Sequence, residues 1–166
     1  MKAPLSWIKE YVDIDMPLDK LTHLITMAGM EVEEVKIIGL PMPEKMDAKV
    51  SGFTWDRDLI VAASISEVQP HPNADRLTLC KLFDGEREHL VLTGAPNLYD
   101  YKGKGPLEKP LKVAYAKQGA QIYDGHAEGL VLTTLKPAKI RGVESYSMVC
   151  SEKELGISDE HEGILF

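Results

Sequence analysis

The chain has 166 residues, of which 44% are apolar and 27% charged, and this balance excludes a disordered or collagen-like chain. Charged residues interrupt every stretch before it reaches the roughly 18 apolar residues of a membrane-spanning helix, and Cys80 and Cys150 follow no disulfide or zinc spacing. We therefore expect a cytoplasmic protein with reduced thiols and no membrane segment, and its formal charge of -7 at first argues against nucleic acid.

The first 48 residues predict two helices and a strand. Apolar residues recur at helical spacing over 4–13, and a second helix is indicated between Pro17, which suits a first turn, and Gly29, which suits a terminus. We expect the first helix to bury its apolar stripe against the second. Residues 32–37 indicate a strand, and residues 39–57 collect glycine and proline, which predicts a connecting loop.

From residue 59 the pattern changes to short β-rich runs separated by turn residues, which is typical of a small barrel or sandwich. Asp84-Gly85 is a hairpin signal, residues 99–110 predict an exposed loop, and Ser151 and Glu154 stand at capping-box spacing. The predicted strands are Leu59–Val68, Leu77–Phe83, His89–Thr93, Leu111–Tyr115 and Leu130–Thr134, with shorter runs near Ile140 and at Met148–Val149.

Charge is distributed unevenly along the chain. The acidic surplus lies at the two ends, whereas residues 102–141 carry 8 basic and 3 acidic side chains. Such a local excess fits a nucleic-acid-binding surface, and it equally fits a solvated charged face. Charge alone leaves both interpretations open.

The sequence contains no recognised catalytic motif: it has no phosphate-binding loop, dinucleotide fingerprint, serine elbow or zinc-protease pattern. The run 159–162 contains carboxylates and an imidazole, which can ligate metals, but an acidic surface turn is the simpler interpretation. His71 and Cys150 have no third group to orient them as base and nucleophile. We expect no catalytic residue and no metal ligand.

Binding is better supported than catalysis. Lys139 and Arg141 alternate along a short run that we interpret as extended, so both side chains would emerge on one face and reach adjacent phosphates. Asn73 and Asn97 lie in proline-braced turns. An amide there can contact a base edge or a ribose hydroxyl, or it can stabilise the turn itself.

Three stretches, taken in order and spacing, resemble the tRNA-binding module of the OB-fold type. They are PHPNADRL at 70–77, GAPN at 94–97 and KIRGVESYSMVCS at 139–151. This module occurs in free-standing tRNA-binding proteins, in methionyl-tRNA synthetases and in the bacterial phenylalanyl-tRNA synthetase beta subunit.

The flanking segments are similar to the last of these hosts. They are LSWIKEYV at 5–12, LITMAGMEVE at 24–33 and ELGISDEHEGI at 154–164. The resemblance implies an α+β fold in which an OB-fold β-barrel interrupts a small N-terminal α+β module. Residues 1–48 would form the first part of that module, 49–152 the OB-fold tRNA-binding domain, and 153–166 the return segment.

The resemblance also implies a role in joining phenylalanine to its tRNA. The family's beta subunit is ordinarily several times longer, so this chain would be an N-terminal fragment. The parent enzyme would be a heterotetramer with the alpha subunit. Its chemistry, which uses ATP and magnesium, would take place on the alpha subunit, and the fragment itself would hold no cofactor. Its contribution would be RNA backbone binding through the residues Lys139, Arg141, Lys112, Lys117, Asn73, Arg76, Asn97 and Ser145.

Two other functions stay open at this stage. The chain could be a purely structural module of the synthetase, which its acidic net charge favours. It could also be a free-standing OB-fold tRNA-binding protein, in which case the N-terminal helices would be an unrelated extension.

Overall fold

The computed structural model describes residues 2–166, and strands predominate over helices in it. The fold class is α+β, as the sequence predicts. The helices are α1 (Leu5–Ile8), α2 (Leu18–Met27) and a 3-10 helix (Pro96–Tyr101). The strands are β1 (Glu34–Ile38), β2 (Lys49–Phe53), β3 (Ile60–His71), β4 (Ala74–Phe83), β5 (Glu88–Thr93), β6 (Pro106–Ala116), β7 (Gln121–Tyr123), β8 (Leu132–Thr134), β9 (Ala138–Ile140), β10 (Val143–Ser145) and β11 (Met148–Val149).

The chain divides into two compact units. The first runs to Ile37 and includes Pro43–Ser51, and the second comprises Ile38–Met42 and Gly52–Phe166. Residues 153–166, predicted to return to the first module, lie in the second unit, where the Leu165 N–H donates to the Cys150 carbonyl at 2.9 Å. The three-part domain division drawn from the sequence stays a prediction.

Helix α2 is confirmed, and its last turn shows why it stops where it does. Gly29 has φ +95°, its N–H donates to the Thr26 carbonyl at 3.0 Å, and the Met30 N–H donates to the Ile25 carbonyl at 3.2 Å. Glycine adopts this left-handed conformation without steric cost because it has no Cβ, so it can close the last turn of a helix.

Helix α1 is shorter than predicted, since it covers four residues. Of the residues in α1 and α2, all of which the structure describes, only Thr22 is buried. Trp7 is 55% exposed and Tyr11 73% exposed, and their rings contact each other edge to face with centroids 5.6 Å apart. The prediction that α1 buries its apolar stripe against α2 is therefore wrong.

Two predicted loops contain regular structure. Within 39–57 the chain forms β2, which pairs with β1, although Gly52 weakens its strand character. Within 99–110 the 3-10 helix ends and β6 begins at Pro106, which pairs with Glu67. Proline is tolerated at the first residue of a strand, so it does not mark a loop at this position.

A five-stranded antiparallel sheet organises the second unit, in the order β11-β6-β3-β4-β5. The predicted hairpin at Asp84-Gly85 is confirmed, because this turn joins the paired strands β4 and β5. Strands β7 and β8 form one separate two-stranded sheet, and β9 and β10 form another. Within residues 2–166 no hydrogen-bonded pairing joins β11 to β5, so backbone hydrogen bonds do not close the sheet.

A β-bulge keeps the apolar residues of β3 on one face. Ser66 is left out of the pairing with β4, between Ile65 and Glu67. Because of this extra residue, Ile65 and Val68 both face the core although they are three positions apart, and each is fully buried. The main core cluster is Ala63, Ile65, Val68, Cys80, Leu82, Val91, Ala95, Leu98, Val113, Tyr115, Val149 and Ile164.

The predicted capping box at the end of the second unit is confirmed. The Ser151 N–H donates to Glu154 Oε2 at 2.7 Å, and the Glu154 N–H donates to Ser151 Oγ at 3.4 Å. The segment that follows consists of turns rather than a helix, and it buries Leu155 in the core. Among the described residues, no helix combines the length and the apolar character needed to cross a membrane.

Replacing Ile65 tests the importance of the core around β3. We expect Ile65→Ala to lower the free energy of unfolding by about 2–5 kcal/mol, because it leaves a cavity in a fully buried site. Urea denaturation followed by circular dichroism measures this change. Thr133→Ala, at an exposed position of β8, is the matched control and should change stability by less than about 0.5 kcal/mol. Equal effects of the two substitutions would contradict this packing.

Candidate nucleic-acid interface

The strongest candidate residues from the sequence lie on the hairpin formed by β9 and β10. Ile140 pairs with Val143, so Arg141 and Gly142 form a two-residue turn at its tip. Both turn residues have positive φ, +50° for Arg141 and +92° for Gly142, which is the pattern of a type I′ turn. The tip therefore presents an arginine at a position where asparagine, aspartate or glycine is normally preferred.

The prediction that Lys139 and Arg141 share one extended run is wrong. Lys139 lies in β9 opposite Glu144, whereas the left-handed backbone of Arg141 places it in the turn. The alternation rule for strands does not apply across such a turn. Both residues are exposed on the same hairpin, so they still lie near each other although they do not share one extended strand.

Asn73 connects the turn between β3 and β4 to this hairpin. Its Nδ2 donates to the Arg141 carbonyl at 3.4 Å, and its backbone N–H donates to His71 Nδ1 at 3.0 Å. His71 is only 6% exposed, and among the described residues its Nε2 has no hydrogen-bond partner. Asn73 therefore holds the hairpin tip in place, and a buried imidazole fixes the turn that carries Asn73.

Arg76 lies at the start of β4, beside the 3-10 helix. The Tyr99 hydroxyl donates to the Arg76 carbonyl at 2.9 Å, and the Lys102 Nζ donates to the Asp75 carbonyl at 2.5 Å. The same Nζ lies 5.8 Å from the centroid of the Tyr99 ring, within the range of a cation–π contact. The structure thus places an exposed ring and the Lys102 ammonium beside the backbone of Asp75 and Arg76, at the end of the sheet that Asn73 also occupies.

Two other predicted residues are engaged in internal hydrogen bonds. Asn97 Nδ2 donates to the Ile164 carbonyl at 2.8 Å, and its Oδ1 accepts from the Ile164 N–H at 3.2 Å. Ser145 lies on β10, where its hydroxyl donates to the Ser147 carbonyl at 3.2 Å. The Asn97 amide fastens the C-terminal segment to the second unit, so in this structure it acts as a structural clip.

The two predicted lysines on β6 and just after it lie in different environments. Lys112 is exposed on β6, opposite Ser64 of β3. Lys117 is half-buried, with its Nζ 3.8 Å from Asp84 Oδ2, and this carboxylate also accepts from His89 Nε2 at 2.8 Å. Lys117 therefore contributes to an internal charged cluster instead of a free basic surface.

Asp84 is the centre of that cluster. Its Oδ1 accepts from the backbone N–H groups of Arg87 at 2.9 Å and Glu86 at 3.0 Å, which closes the turn between β4 and β5. These hydrogen bonds, the one to Arg87 above all, together with His89, hold the pKa of Asp84 well below its usual range. The carboxylate is thus ionised and structural.

The residues considered for chemistry lie in unreactive environments. Burial raises the pKa of the Cys80 thiol to about 11 and raises that of Cys150 as well, so both thiols stay protonated and are weak nucleophiles. Within residues 2–166, no three His, Cys, Asp or Glu side chains are grouped closely enough to hold a metal ion.

From the sequence, Tyr99 is a possible stacking group for which core or loop packing is the preferred interpretation, and Lys102 counts only as one of the basic residues of 102–141. The sequence does carry one signal for the orientation of Tyr99. Leu98 and Tyr101 are three residues apart, so in a 3-10 helix after Pro96 they share the inward face and leave Tyr99 on another face. Leu98 is fully buried, so Tyr99, its neighbour, is directed outward.

Comparison with known proteins supports the resemblance seen in the sequence. No family model matches the chain. A protein from Dehalococcoides mccartyi is 44% identical over 165 residues, one from Protochlamydia amoebophila is 36% identical, and one from Hahella chejuensis is 35% identical. In each case the match covers 99% of this chain and 17% of the relative.

These relatives are subunits of an aminoacyl-tRNA ligase, a class of enzyme that serves protein biosynthesis. All three are named phenylalanine–tRNA ligase beta subunit, and the chain is homologous to them over nearly its whole length. The recognition made from the sequence is therefore confirmed. The chain spans about a sixth of the length of the curated relatives it matches, which is consistent with an N-terminal region.

Arg141 provides a test of the hairpin turn. We expect Arg141→Asn to raise the free energy of unfolding by about 0.5–1 kcal/mol, because asparagine tolerates positive φ better than arginine does. Urea denaturation measures the change. Lys139→Asn removes the same charge from an extended position and should not stabilise the protein. A destabilisation by Arg141→Asn as large as that by Lys139→Asn would contradict the left-handed turn.

The lowered pKa of Asp84 predicts how the stability of the protein depends on pH in acid. Because the pKa of Asp84 is lower in the folded than in the unfolded chain, the ionised carboxylate stabilises the fold at neutral pH, and this contribution declines progressively as the pH falls below about 4 toward the lower pKa of the folded state. Asp84→Asn should therefore lower the melting temperature at pH 7, and the difference from the wild type should shrink toward pH 3. Asp159→Asn, at an exposed carboxylate, is the control for pH scans by differential scanning fluorimetry. A pH-independent effect of Asp84→Asn would contradict the assignment.

Proposed function

We propose that this chain acts within a phenylalanine–tRNA ligase and contributes RNA backbone binding through its second unit. The observation that carries the proposal is the exposed hairpin of β9 and β10, where Lys139 and Arg141 lie close together and Asn73 holds the tip at 3.4 Å. Exposed lysine and arginine side chains on a fixed hairpin suit contacts with phosphates, which set position and affinity in RNA binding.

The architecture of the second unit supports an OB-type barrel for this task. Its five strands are antiparallel, and the two edge strands of the order, β11 and β5, come within 8 Å of each other between Cα atoms. A sheet whose edges approach in this way curls toward closure. We propose that the unit is an OB fold with β3, β4, β5 and β6 as its principal strands.

The remaining features of the proposal rest on the family resemblance described in the sequence analysis. The partner would be the alpha subunit of the ligase, in a heterotetramer located in the cytoplasm, and the RNA would be tRNA. ATP and magnesium would be used by the assembled enzyme. We assign no catalytic step to this chain, because the resemblance implies that the chemistry takes place on the alpha subunit.

A scaffold role is the second candidate function, and the first unit favours it. Trp7, Tyr11, Met27 and Met30 are each more than half exposed, although all are large apolar or aromatic side chains. Such exposed residues are typical of surfaces that are covered in an assembly. The free-standing module is less favoured, because the similarity to beta subunits covers 99% of the chain, including these helices.

Fluorescence anisotropy with labelled tRNA distinguishes RNA binding from a scaffold role. We expect micromolar binding by the chain that weakens with salt, because neutralised phosphates release counterions. Lys139→Ala/Arg141→Ala should weaken binding and lower the slope of log affinity against log salt by about 2, one for each lost phosphate contact.

The matched control is Lys9→Ala/Lys20→Ala, which removes the same charge from exposed positions in the first unit. This control should retain the affinity of the wild type. Absence of tRNA binding even at low salt would overturn the RNA-binding proposal and leave the scaffold role. Equal losses in both double variants would overturn the assignment of the surface to the hairpin.

A further inference from the structure

Tyr99 combines exposure with a fixed ring. Its hydroxyl donates to the Arg76 carbonyl at 2.9 Å and lies 3.5 Å from the Gly94 carbonyl, while 40% of the residue remains exposed. Leu98, the preceding residue, is fully buried and holds the 3-10 helix against the core. The phenol is thus anchored at its polar end, and its ring is a preorganised aromatic surface facing solvent.

Lys102 places a positive charge over one face of that ring, so a stacking base would have to use the other face. Its Nζ donates to the Asp75 carbonyl at 2.5 Å and lies 5.8 Å from the ring centroid. An ammonium group has three N–H donors, so two remain for a further acceptor. A base stacked on Tyr99 would bring its own phosphate within the neighbourhood of this ammonium.

Three further groups belong to the same end of the sheet, and together with Tyr99 and Lys102 they define what we call the Tyr99 patch. Arg76 and Asn73 come from the start of β4 and the turn before it, and Arg141 is joined to Asn73 by the 3.4 Å hydrogen bond. The patch therefore combines one aromatic ring, three cations and one amide.

The charge of this region favours a ligand with unpaired bases. Asp75 and Asp100 are exposed next to Arg76 and Tyr99 in the chain, and they offset part of the positive charge. A duplex exposes phosphates and covers its base faces, so it would gain little from the ring. A single strand can stack a base on an aromatic side chain while basic groups follow its backbone.

We infer that the Tyr99 patch is a binding site for single-stranded RNA, in which one base stacks on Tyr99 and the adjoining phosphates contact Lys102 and Arg76. This inference rests on the proposed RNA-binding function and specifies its ligand. Asn73 holds the Arg141 carbonyl and so positions the hairpin of β9 and β10 beside the bound RNA strand.

The test compares a labelled single-stranded oligoribonucleotide with an RNA duplex of the same length, using fluorescence anisotropy and the full chain. We expect preference for the single strand. Tyr99→Leu should weaken its binding about 5- to 100-fold, whereas Tyr99→Phe keeps the ring and should stay within about twofold of the wild type. Tyr11→Leu, at an exposed tyrosine of the first unit, is the matched control and should bind like the wild type.

Lys102→Ala gives a second measurement that does not depend on the ring. It should weaken single-strand binding and lower the salt slope by about 1. Circular dichroism shows whether each variant is folded. If Tyr99→Leu does not fold, the RNA binding of Lys102→Ala provides the test.

The outcomes separate this inference from the broader proposal. Wild-type binding by both Tyr99→Leu and Lys102→Ala, with tRNA still bound, would overturn the patch and leave the proposed function standing. Tighter binding of the duplex than of the single strand would have the same meaning. Loss of all RNA binding in the wild type would overturn both.

Discussion

Strand β3 is hydrogen-bonded on one edge to β4 and on the other to β6, and this double pairing positions the surface features of the second unit. The bulge at Ser66 allows the strand to keep Ile65 and Val68 in the core while it bends. Because β3 ends at His71 and β4 begins at Ala74, the turn between them stands at one end of the sheet. That turn carries Asn73, which contacts the hairpin of β9 and β10, and it leads directly into Asp75 and Arg76 on β4.

The turn acts through backbone groups and an amide. His71 Nδ1 accepts the Asn73 N–H, and the Asn73 amide in turn holds the Arg141 carbonyl. Tyr99 reaches the same region through the Arg76 carbonyl. These bonds fix the backbone of Arg76 and Arg141 and the hydroxyl end of Tyr99, while all three residues remain exposed. Such an arrangement lowers the ordering cost of binding, since the contacting groups already occupy defined positions.

The polar residues chosen from the sequence separate into two groups once their partners are known. Asn97 and Ser145 make internal hydrogen bonds, and Lys117 accompanies the buried carboxylate of Asp84. Ser145 and Lys117 are half-buried, where a polar group is stable only when it is paired, and the Asn97 amide is engaged by both polar groups of Ile164, so these residues are used to hold the fold together. Lys139 and Arg141, by contrast, are exposed on the hairpin.

Local residue chemistry and motifs in fixed order were enough to predict the α+β class, helix α2, the turn at Asp84-Gly85, the capping box and the relationship to ligase beta subunits. Other features became evident only in the folded chain: β2 is a strand, Arg141 adopts positive φ, Asn97 fastens Ile164, and Tyr99 and Lys102 contact the backbone of Arg76 and Asp75. These features arise from contacts between segments far apart in the chain, and a linear pattern carries no information on which distant backbone group a side chain will meet.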